Sequence, residues 1–420
     1  MLGLSLRHPD ILKFITAKQT PGALSLCNIS VVGDDFSKFA EAVRADEQWE
    51  LSWKGRYKTR VSAQSLWETI ISSMYNSGEP GILNRELAEE ESTIYYIKKL
   101  MITNPCGEQW LEDYGSCCLG HVVLSRFVTS QGELDYQKLA DTVRLGTRFL
   151  DNVLQITSYP RREMRENATS IRRIGLGVTG LADMFVLMGL RYGSPEALAL
   201  QAKVDRFIAK VSYDESILLA VEKGAFPSCN PDLHVKSGFV SRMPHKIKAR
   251  IKEYGIRNGA LLTRAPVGSG SILSNNCSSS IEPIFAPAYV REYWKGDELL
   301  TETIIHPLFE QFVREGKSIE HFVSSHELSL EEHLRVQEVA QKHVDSSVSK
   351  TLNVSSDLPI EELSRVLLAH LPNIKGTTVY RDGSRGRSPL TPLTKEQALK
   401  MVGKARQGSD VICHSGSCEL

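Results

Sequence analysis

The chain has 420 residues, with 50 Lys and Arg balancing 50 Asp and Glu, 41% hydrophobic residues and eight cysteines. That balance excludes bulk electrostatic attraction to nucleic acid or to an anionic membrane surface, and no apolar run approaches a membrane span. Residues 1–10 (MLGLSLRHPD) are too short and interrupted for a secretory signal, so a cytoplasmic location with reduced cysteines is expected.

An apolar, β-branched run over 26–32 predicts the first strand. Asn104-Pro105-Cys106-Gly107-Glu108 follows and is the most informative stretch of the chain. In an extended segment alternate residues share a face, so Asn104, Cys106 and Glu108 would set an amide, a thiol and a carboxylate around one small substrate. Gly107 would let the backbone approach closely. The same residues also read as a turn opened by Asn-Pro and closed by Gly, around an inert buried cysteine; the rest of the chain favours the chemical reading. Cys117 lies eleven residues after Cys106. Cys118 would point to the opposite face of a strand, so only one of the two can join Cys106.

A strand over 119–124 is expected next. It is followed by an amphipathic helix through Leu139, Val143, Phe149, Leu150, Val153 and Leu154, which leads to Pro160. Gly175-Leu176-Gly177-Val178-Thr179-Gly180 fits GxGxxG, but the dinucleotide fingerprint needs an apolar strand before it and Ser-Ile-Arg-Arg (170–173) precedes it. Because the run continues into Leu181, Met184, Phe185 and Leu187, the glycines are expected to serve close helix packing. A further helix carries Val204, Phe207, Ile208, Val211, Ile217, Leu218 and Val221 and stops at Gly224.

A strand-like run over 260–265 leads into Ala265-Pro266-Val267-Gly268-Ser269-Gly270-Ser271. Its glycines, hydroxyls and backbone N–H groups can cradle a phosphate. The Gly-Lys-Ser/Thr of a P-loop is missing, so ATP hydrolysis is not implied; taken alone, the segment reads equally well as a Gly/Ser turn. Ser329-Leu330-Glu331-Glu332 is a capping box opening a helix to about Val344. Pro359 suits the first position of a helix over 360–371, and 377–380 is a last strand. Strands alternating with helices give an α/β class, with helices covering a mostly parallel sheet or barrel.

Residues 381–394 read as a linker, 395–402 as a short helix, and the chain closes on Cys413-His414-Ser415-Gly416-Ser417-Cys418. A thiol pair there can form a disulfide or attack one elsewhere by exchange. A metal-binding tail with His414 has an incomplete ligand set. The chain has no paired CxxC and no HExxH spacing, so no metal site is expected, and Cys27, Cys229 and Cys277 read as structural. The expected organisation is a catalytic α/β domain over 1–380, a linker with a short helix over 381–410 and a redox-active tail over 411–420.

HPDI at 8–11, NPCGEQ at 104–109, Cys117, LDNV at 150–153, RRIGLGVTGLAD at 172–183 and APVGSGS at 265–271 occur together in this chain. They are followed by IEPIF at 281–285, VSKTLN at 348–353, VYRDGSR at 379–385 and CHSGSC at 413–418. On these motifs the chain resembles the catalytic subunit of ribonucleotide reductase, specifically the adenosylcobalamin-dependent kind. The resemblance implies a ten-stranded α/β barrel of the ribonucleotide reductase and glycyl-radical type, with the thiyl cysteine on a loop threaded through its centre and a flexible C-terminal tail. It implies that Cys106 takes the 3′ hydrogen of the ribose, that Glu108 is the base for the 3′ hydroxyl and that Asn104 holds and polarises the hydroxyls. Cys117 would be half of the reducing thiol pair. Cys413 and Cys418 would re-reduce it and be regenerated by a thioredoxin- or glutaredoxin-like donor. Pro266, Val267, Gly268, Ser269, Gly270 and Ser271 would grip the substrate phosphates. The radical would come from the adenosylcobalamin cobalt–carbon bond. VYRDGSR at 379–385 and its surroundings lack the adjacent tyrosine pair of radical-subunit-dependent relatives, and a glycyl-radical RVxGY motif is missing, which favours the cobalamin branch over a di-metal relative.

In the family the partner of Cys117 lies upstream of HPDI, and Met1 coincides with the end of the RxGAxM loop before it. The expectation is therefore the C-terminal part of a split or truncated enzyme, a partial barrel without the effector region and inactive alone. Its partners would be a ribonucleotide, a complementing N-terminal chain and, left open, a second copy of itself. Further departures are Val267 for threonine, Cys118 for asparagine and Ser280 for glycine; losing the threonine hydroxyl costs about 1 kcal/mol of phosphate contact. An inactive nucleotide-binding remnant is the rival from another class, and the survival of Asn104, Cys106, Glu108, Cys117, Cys413 and Cys418 argues against it.

Overall fold

The computed structural model describes residues 1–19, 24, 26–55, 57–296, 298–384 and 390–407. Its strands are β1 (Leu2–Ser5), β2 (Ile29–Gly33), β3 (Gln48–Trp53), β4 (Tyr57–Ser62), β5 (Gly81–Asn84), β6 (Ile102–Thr103) and β7 (Trp110–Leu111). They continue with β8 (Cys118–Val123), β9 (Ile174–Thr179), β10 (Ala288–Lys295), β11 (Glu298–Ile305), β12 (Thr351–Val354), β13 (Gly376–Arg381) and β14 (Leu390–Leu393).

One sheet runs β1-β2-β5-β13-β12. Strands β1, β2 and β5 are parallel, as are β12 and β13. The two sets meet antiparallel at β5 and β13, through Gly376 opposite Leu83 and Thr377 opposite Ile82. Strand β8 is parallel to β9 along its whole length. Parallel bridges from Leu176 to Leu262 and from Arg264 to Val348 carry the succession from β9 towards β12. Residues 260–265 thus join by single bridges, where the sequence suggested a regular strand. Among the described residues, no pairing joins β1 to β8. Strands β2, β5 and β9 are buried at every position, the signature of parallel strands covered on both faces.

The glycine run of 175–180 departs from its sequence reading. It is strand β9, and only Gly180 (φ 72°) belongs to the cap of the Leu181–Leu187 helix. A Cβ on Gly175 would lie 2.6 Å from Leu119, 2.9 Å from Thr263 and 3.0 Å from the Cys117 sulfur. The glycines therefore serve strand-to-strand approach, and the two arginines before them end one helix and do not preclude a strand.

The helices follow their local signals closely. Ser194 accepts from the Ala197 N–H, Pro195 occupies the first turn, and the Pro195–Lys223 helix stops at Gly224 (φ 84°). Both bonds of the Ser329–Glu332 capping box form, though the helix ends at Gln341. Pro359 is the N-cap of the Ile360–His370 helix, one position earlier than expected. Within 381–394, β14 pairs antiparallel with β10, and the helix after it spans Lys395–Gln407.

Two large apolar clusters form the core. One packs the Tyr136–Ile156 and Pro195–Lys223 helices around β8 and β9. The other packs the Phe36–Arg44, Ala63–Ser77 and Ile360–His370 helices on the first sheet, with Phe39 edge-on to Trp49 and Trp67. Each fully buried Leu, Ile or Phe contributes roughly 1.5–3 kcal/mol. Charges are threaded between these clusters: Arg172 with Asp151, Arg173 with Glu112 and Arg264 with Asp205 are all buried pairs. Such pairs add little net stability, but they fix geometry because either charge left alone is costly.

Candidate active site

Strands β6 and β7 form a two-pair hairpin whose tip is residues 104–109. The Asn104 N–H donates to the Gln109 carbonyl at 3.1 Å, and the Gly107 N–H donates to the Asn104 carbonyl at 3.0 Å. Gly107 has φ +84° with open space where a Cβ would stand. The tip is therefore a turn, not the extended segment that would align alternate residues, and Gly107 serves its backbone angle, not close approach. The turn itself brings two of the expected residues together. The Asn104 side-chain N–H donates to Glu108 Oε1 at 2.7 Å, while Asn104 Oδ1 accepts from the Gln109 N–H at 3.1 Å.

Glu108 is buried, and among the described residues its Oε2 has no hydrogen-bond partner. Burial raises its pKa, opposed by its own backbone N–H and by Asn104. Its carbonyl accepts from the Thr263 hydroxyl at 2.8 Å and from the Ser347 N–H at 3.0 Å. The hairpin tip is thus tied to the two bridged segments between β9 and β12. Cys106 sits at the tip, exposed as a residue and within reach of the Glu108 charge. Partial desolvation, then the Glu108 charge, raises its thiol pKa, so it is held as S–H.

Cys117 immediately precedes β8. Burial pushes its thiol far above the ordinary range, with Cys118, Asp345 and Glu108 pushing the same way and Arg173 opposing. Glu108 and Cys117 therefore share one electrostatic neighbourhood. Cys118 lies within β8, and burial raises its thiol pKa too.

Around these thiols lies a set of buried polar residues that the sequence reading missed. Arg173 donates to Glu112 at 2.7 Å, and Asn167 donates to the other Glu112 oxygen at 2.7 Å. Asp345 accepts from the Leu261 and Leu262 N–H groups and the Tyr213 hydroxyl, each at 2.8 Å. Lys375 is fully enclosed; its Nζ donates to the carbonyls of Asp345 at 2.8 Å and Ser346 at 2.6 Å. Desolvation pulls its pKa down to about 8. These partners lie tens to hundreds of residues apart, so no local spacing could have revealed them.

The segment 265–271 begins two residues after Thr263, which holds Glu108. Gly268–Leu273 is a single short helix with Val267 as its N-cap. The Val267 N–H donates to Ser279 Oγ at 2.9 Å, and Ser271 Oγ donates to the Gly268 carbonyl at 2.7 Å. Gly268 and Ser271 line one side of a 320 Å³ cavity that also meets Ser278, Ser279, Thr351 and Asn353. Pro266, Ser269 and Gly270 lie in the same turn, and a Cβ on Gly270 would strike His121 at 2.7 Å. Cys413 and Cys418 lie outside the described residues. Among those described, no cluster of three or more His, Cys, Asp or Glu could hold a metal ion.

Residues 1–380 match the family model described as the ribonucleotide reductase barrel domain. The chain is 35% identical over 459 positions to the vitamin B12-dependent ribonucleoside-diphosphate reductase of Thermoplasma acidophilum, covering 99% of this chain and 57% of that protein. It is 30% identical over 449 positions to the enzyme of the same description from Mycobacterium tuberculosis strain H37Rv, covering 100% of this chain and 60% of that protein. A more distant relative is the ribonucleoside-diphosphate reductase large subunit of Caenorhabditis elegans, 30% identical over 70% of this chain and 39% of that protein. The chain thus spans about three-fifths of the length of its vitamin B12-dependent relatives.

Proposed function

Because the chain belongs to the ribonucleotide reductase barrel-domain family, we propose that it carries the thiyl-radical site of an adenosylcobalamin-dependent ribonucleoside-diphosphate reductase. The observation that carries this reading is the tip of the β6–β7 hairpin. There an exposed, protonated thiol stands beside a carboxyl with one unpartnered oxygen and an amide that fixes the other.

Each residue suits its step. As a thiyl radical, Cys106 takes the 3′ hydrogen of the ribose and becomes S–H; a thiol held protonated is the form from which hydrogen-atom chemistry starts. Glu108 Oε2 accepts the 3′ hydroxyl proton, and its burial lends the carboxylate the basicity a general base needs. Asn104 keeps the carboxyl oriented. The 2′ hydroxyl then leaves as water. Two electrons come from Cys117 and a second thiol, which end as a disulfide, and Cys106 returns its hydrogen to C3′. Residues 266–271 would hold the substrate phosphates, with the backbone N–H groups of 268–270 standing in for the missing threonine hydroxyl. Cys413 and Cys418, served by a thioredoxin-like donor, would reset the disulfide.

Cobalamin fits what the structure offers. Cys106 is exposed while Glu108 of the same hairpin is buried, which leaves the thiol accessible to a bulky group. When bound, that group supplies the initial radical. Among the described residues neither β1 nor β8 has a strand partner on its outer edge. The reading therefore includes two further strands closing a ten-stranded barrel between them, one of them bearing the second thiol.

The test is reconstitution with a complementing segment, adenosylcobalamin, a ribonucleoside diphosphate and a dithiol. Deoxynucleotide should form, and Cys106→Ser should abolish it while nucleotide binding is retained. Undiminished product from Cys106→Ser would sink the reading.

A further inference from the structure

Strand β8 carries an imidazole to which the proposed chemistry gives no role. Its residues alternate between two environments: Val122 is buried in the helical core and a Cβ on Gly120 would meet Leu150, whereas Leu119 and His121 are exposed. Gly175 is the partner of Leu119 in β9, and a Cβ there would touch Leu119, Thr263 and the Cys117 sulfur together. Cys117, Leu119 and His121 therefore share one face, the face turned towards Thr263 and the hairpin tip that Thr263 holds. Cys117 and His121 are four residues apart, about 13 Å of extended chain. The thiol marks one end of this face and the imidazole the other.

The His121 ring ends against the 266–271 turn. A Cβ on Gly270 would lie 2.7 Å from its Cε1 and 3.0 Å from its Nε2, and 2.9 Å from Val267 Cγ1. Imidazole and valine thus flank the same glycine, and a side chain at 270 would displace the ring. Val267 has no polar side-chain atom, which leaves the imidazole as the hydrogen-bonding side chain at that point.

Among the described residues the His121 ring makes no hydrogen bond, ion pair or ring contact. Other histidines stand beside carboxylates: His306 by Asp183, His326 by Asp382 and His370 by Glu338. Burial lowers the His121 pKa, and no acid acts to raise it. An exposed imidazole with unengaged nitrogens and no anionic neighbour, set against this turn, suits an anion that arrives from outside.

We propose that His121 is a substrate-recognition residue whose ring N–H donates to a phosphate oxygen of the ribonucleoside diphosphate held by residues 266–271, with the ribose lying towards Cys117. The proposal deepens the function given above and rests on its placement of the substrate phosphates.

The test uses diethyl pyrocarbonate, which carbethoxylates accessible neutral imidazoles, with the modified peptides mapped by mass spectrometry. The protein is the chain reconstituted as above and carrying Cys106→Ser, so that occupancy is read without turnover. Saturating ribonucleoside diphosphate should slow modification of His121 by roughly tenfold or more. Inorganic pyrophosphate should do the same, and an unphosphorylated ribonucleoside should not. His245, exposed at the start of the His245–Tyr254 helix, is the internal control and should react equally in every sample. In the enzyme with Cys106 intact, His121→Ala should raise the KM for the diphosphate by roughly tenfold with kcat little changed. His121→Gln keeps an N–H donor and should recover most of that loss. A His121 that is unreactive without ligand, protection by the bare ribonucleoside, or an unchanged KM in His121→Ala would each overturn the proposal. Phosphate-dependent protection in a protein whose parent makes no deoxynucleotide would remove the radical chemistry and leave this contact standing, so the two failures are told apart.

Discussion

The Asn104 amide donates to the Glu108 carboxyl across 2.7 Å, within a turn whose Glu108 carbonyl is itself anchored by Thr263 and Ser347. The acid is thus fixed at both ends: its backbone is tied to the sheet and one carboxyl oxygen to its neighbour. Only Oε2 is left for chemistry.

Glu108→Gln keeps an acceptor for Asn104 and removes the proposed base. In the reconstituted enzyme we predict a fall in turnover of roughly 10²–10⁴-fold, with substrate affinity little changed. Because burial raises the folded-state pKa of Glu108, its contribution to stability is fully present below the unfolded carboxyl pKa and is lost as pH rises through the folded value. The variant should therefore melt progressively higher relative to the parent as pH rises across the acid range. A melting difference independent of pH would refute this.

The two thiols of the site should differ sharply towards alkylation. Cys106 is exposed, whereas burial holds the Cys117 thiol protonated far above neutrality. Brief treatment with iodoacetamide near neutral pH, followed by peptide mass spectrometry, should show Cys106 modified first and Cys117 last. The reverse order would mean that Cys117 is not enclosed as described.

Gly175→Ala puts a methyl group into Leu119, Thr263 and the Cys117 sulfur. We predict a loss of about 1–3 kcal/mol in denaturant unfolding and faster alkylation of Cys117 as its enclosure loosens. Gly107→Ala meets no neighbour but must hold φ +84°, which costs about 1–2 kcal/mol without touching Cys117. If both variants change Cys117 equally, the close packing at Gly175 is not what shields it.

Lys375 supplies a pH signature of the opposite sense. Its folded pKa is depressed to about 8 by burial, so its contribution is fully present above the unfolded lysine pKa and is lost as pH falls through about 8. Against Lys375→Met, the parent should gain stability between about pH 8 and the ordinary lysine pKa, by about 3 kcal/mol at most. A flat difference over that interval would show that the amine titrates normally.

Much of this was legible in the chain. Caps at Ser194 and Ser329, the stop at Gly224 and the α/β alternation are local, so local chemistry announces them. The Asn104–Glu108 association was also foreseeable, though the reason given for it, alternation in a strand, was not the physical one; a turn achieved it. Strand β9 was misread because its glycines look like helix-packing residues until Cys117 and Thr263 are known to press on them. The buried charges at Arg173, Asp345 and Lys375 stayed hidden because what makes a buried charge tolerable is its partner, and here each partner is distant in sequence.

The outer edge of β8 gives the last consequence. Cys117 stands at the entrance of that strand, so a backbone pairing along the edge would begin or end next to this residue. On the proposed reading, in which a strand joining there bears the second thiol, joining the sheet and bringing up a second sulfur would be a single event. The proposed arrangement would then work as an interlock: with that edge bare the site would hold one electron-donating thiol where the proposed chemistry needs two, and a radical formed too early would find no completed circuit to discharge.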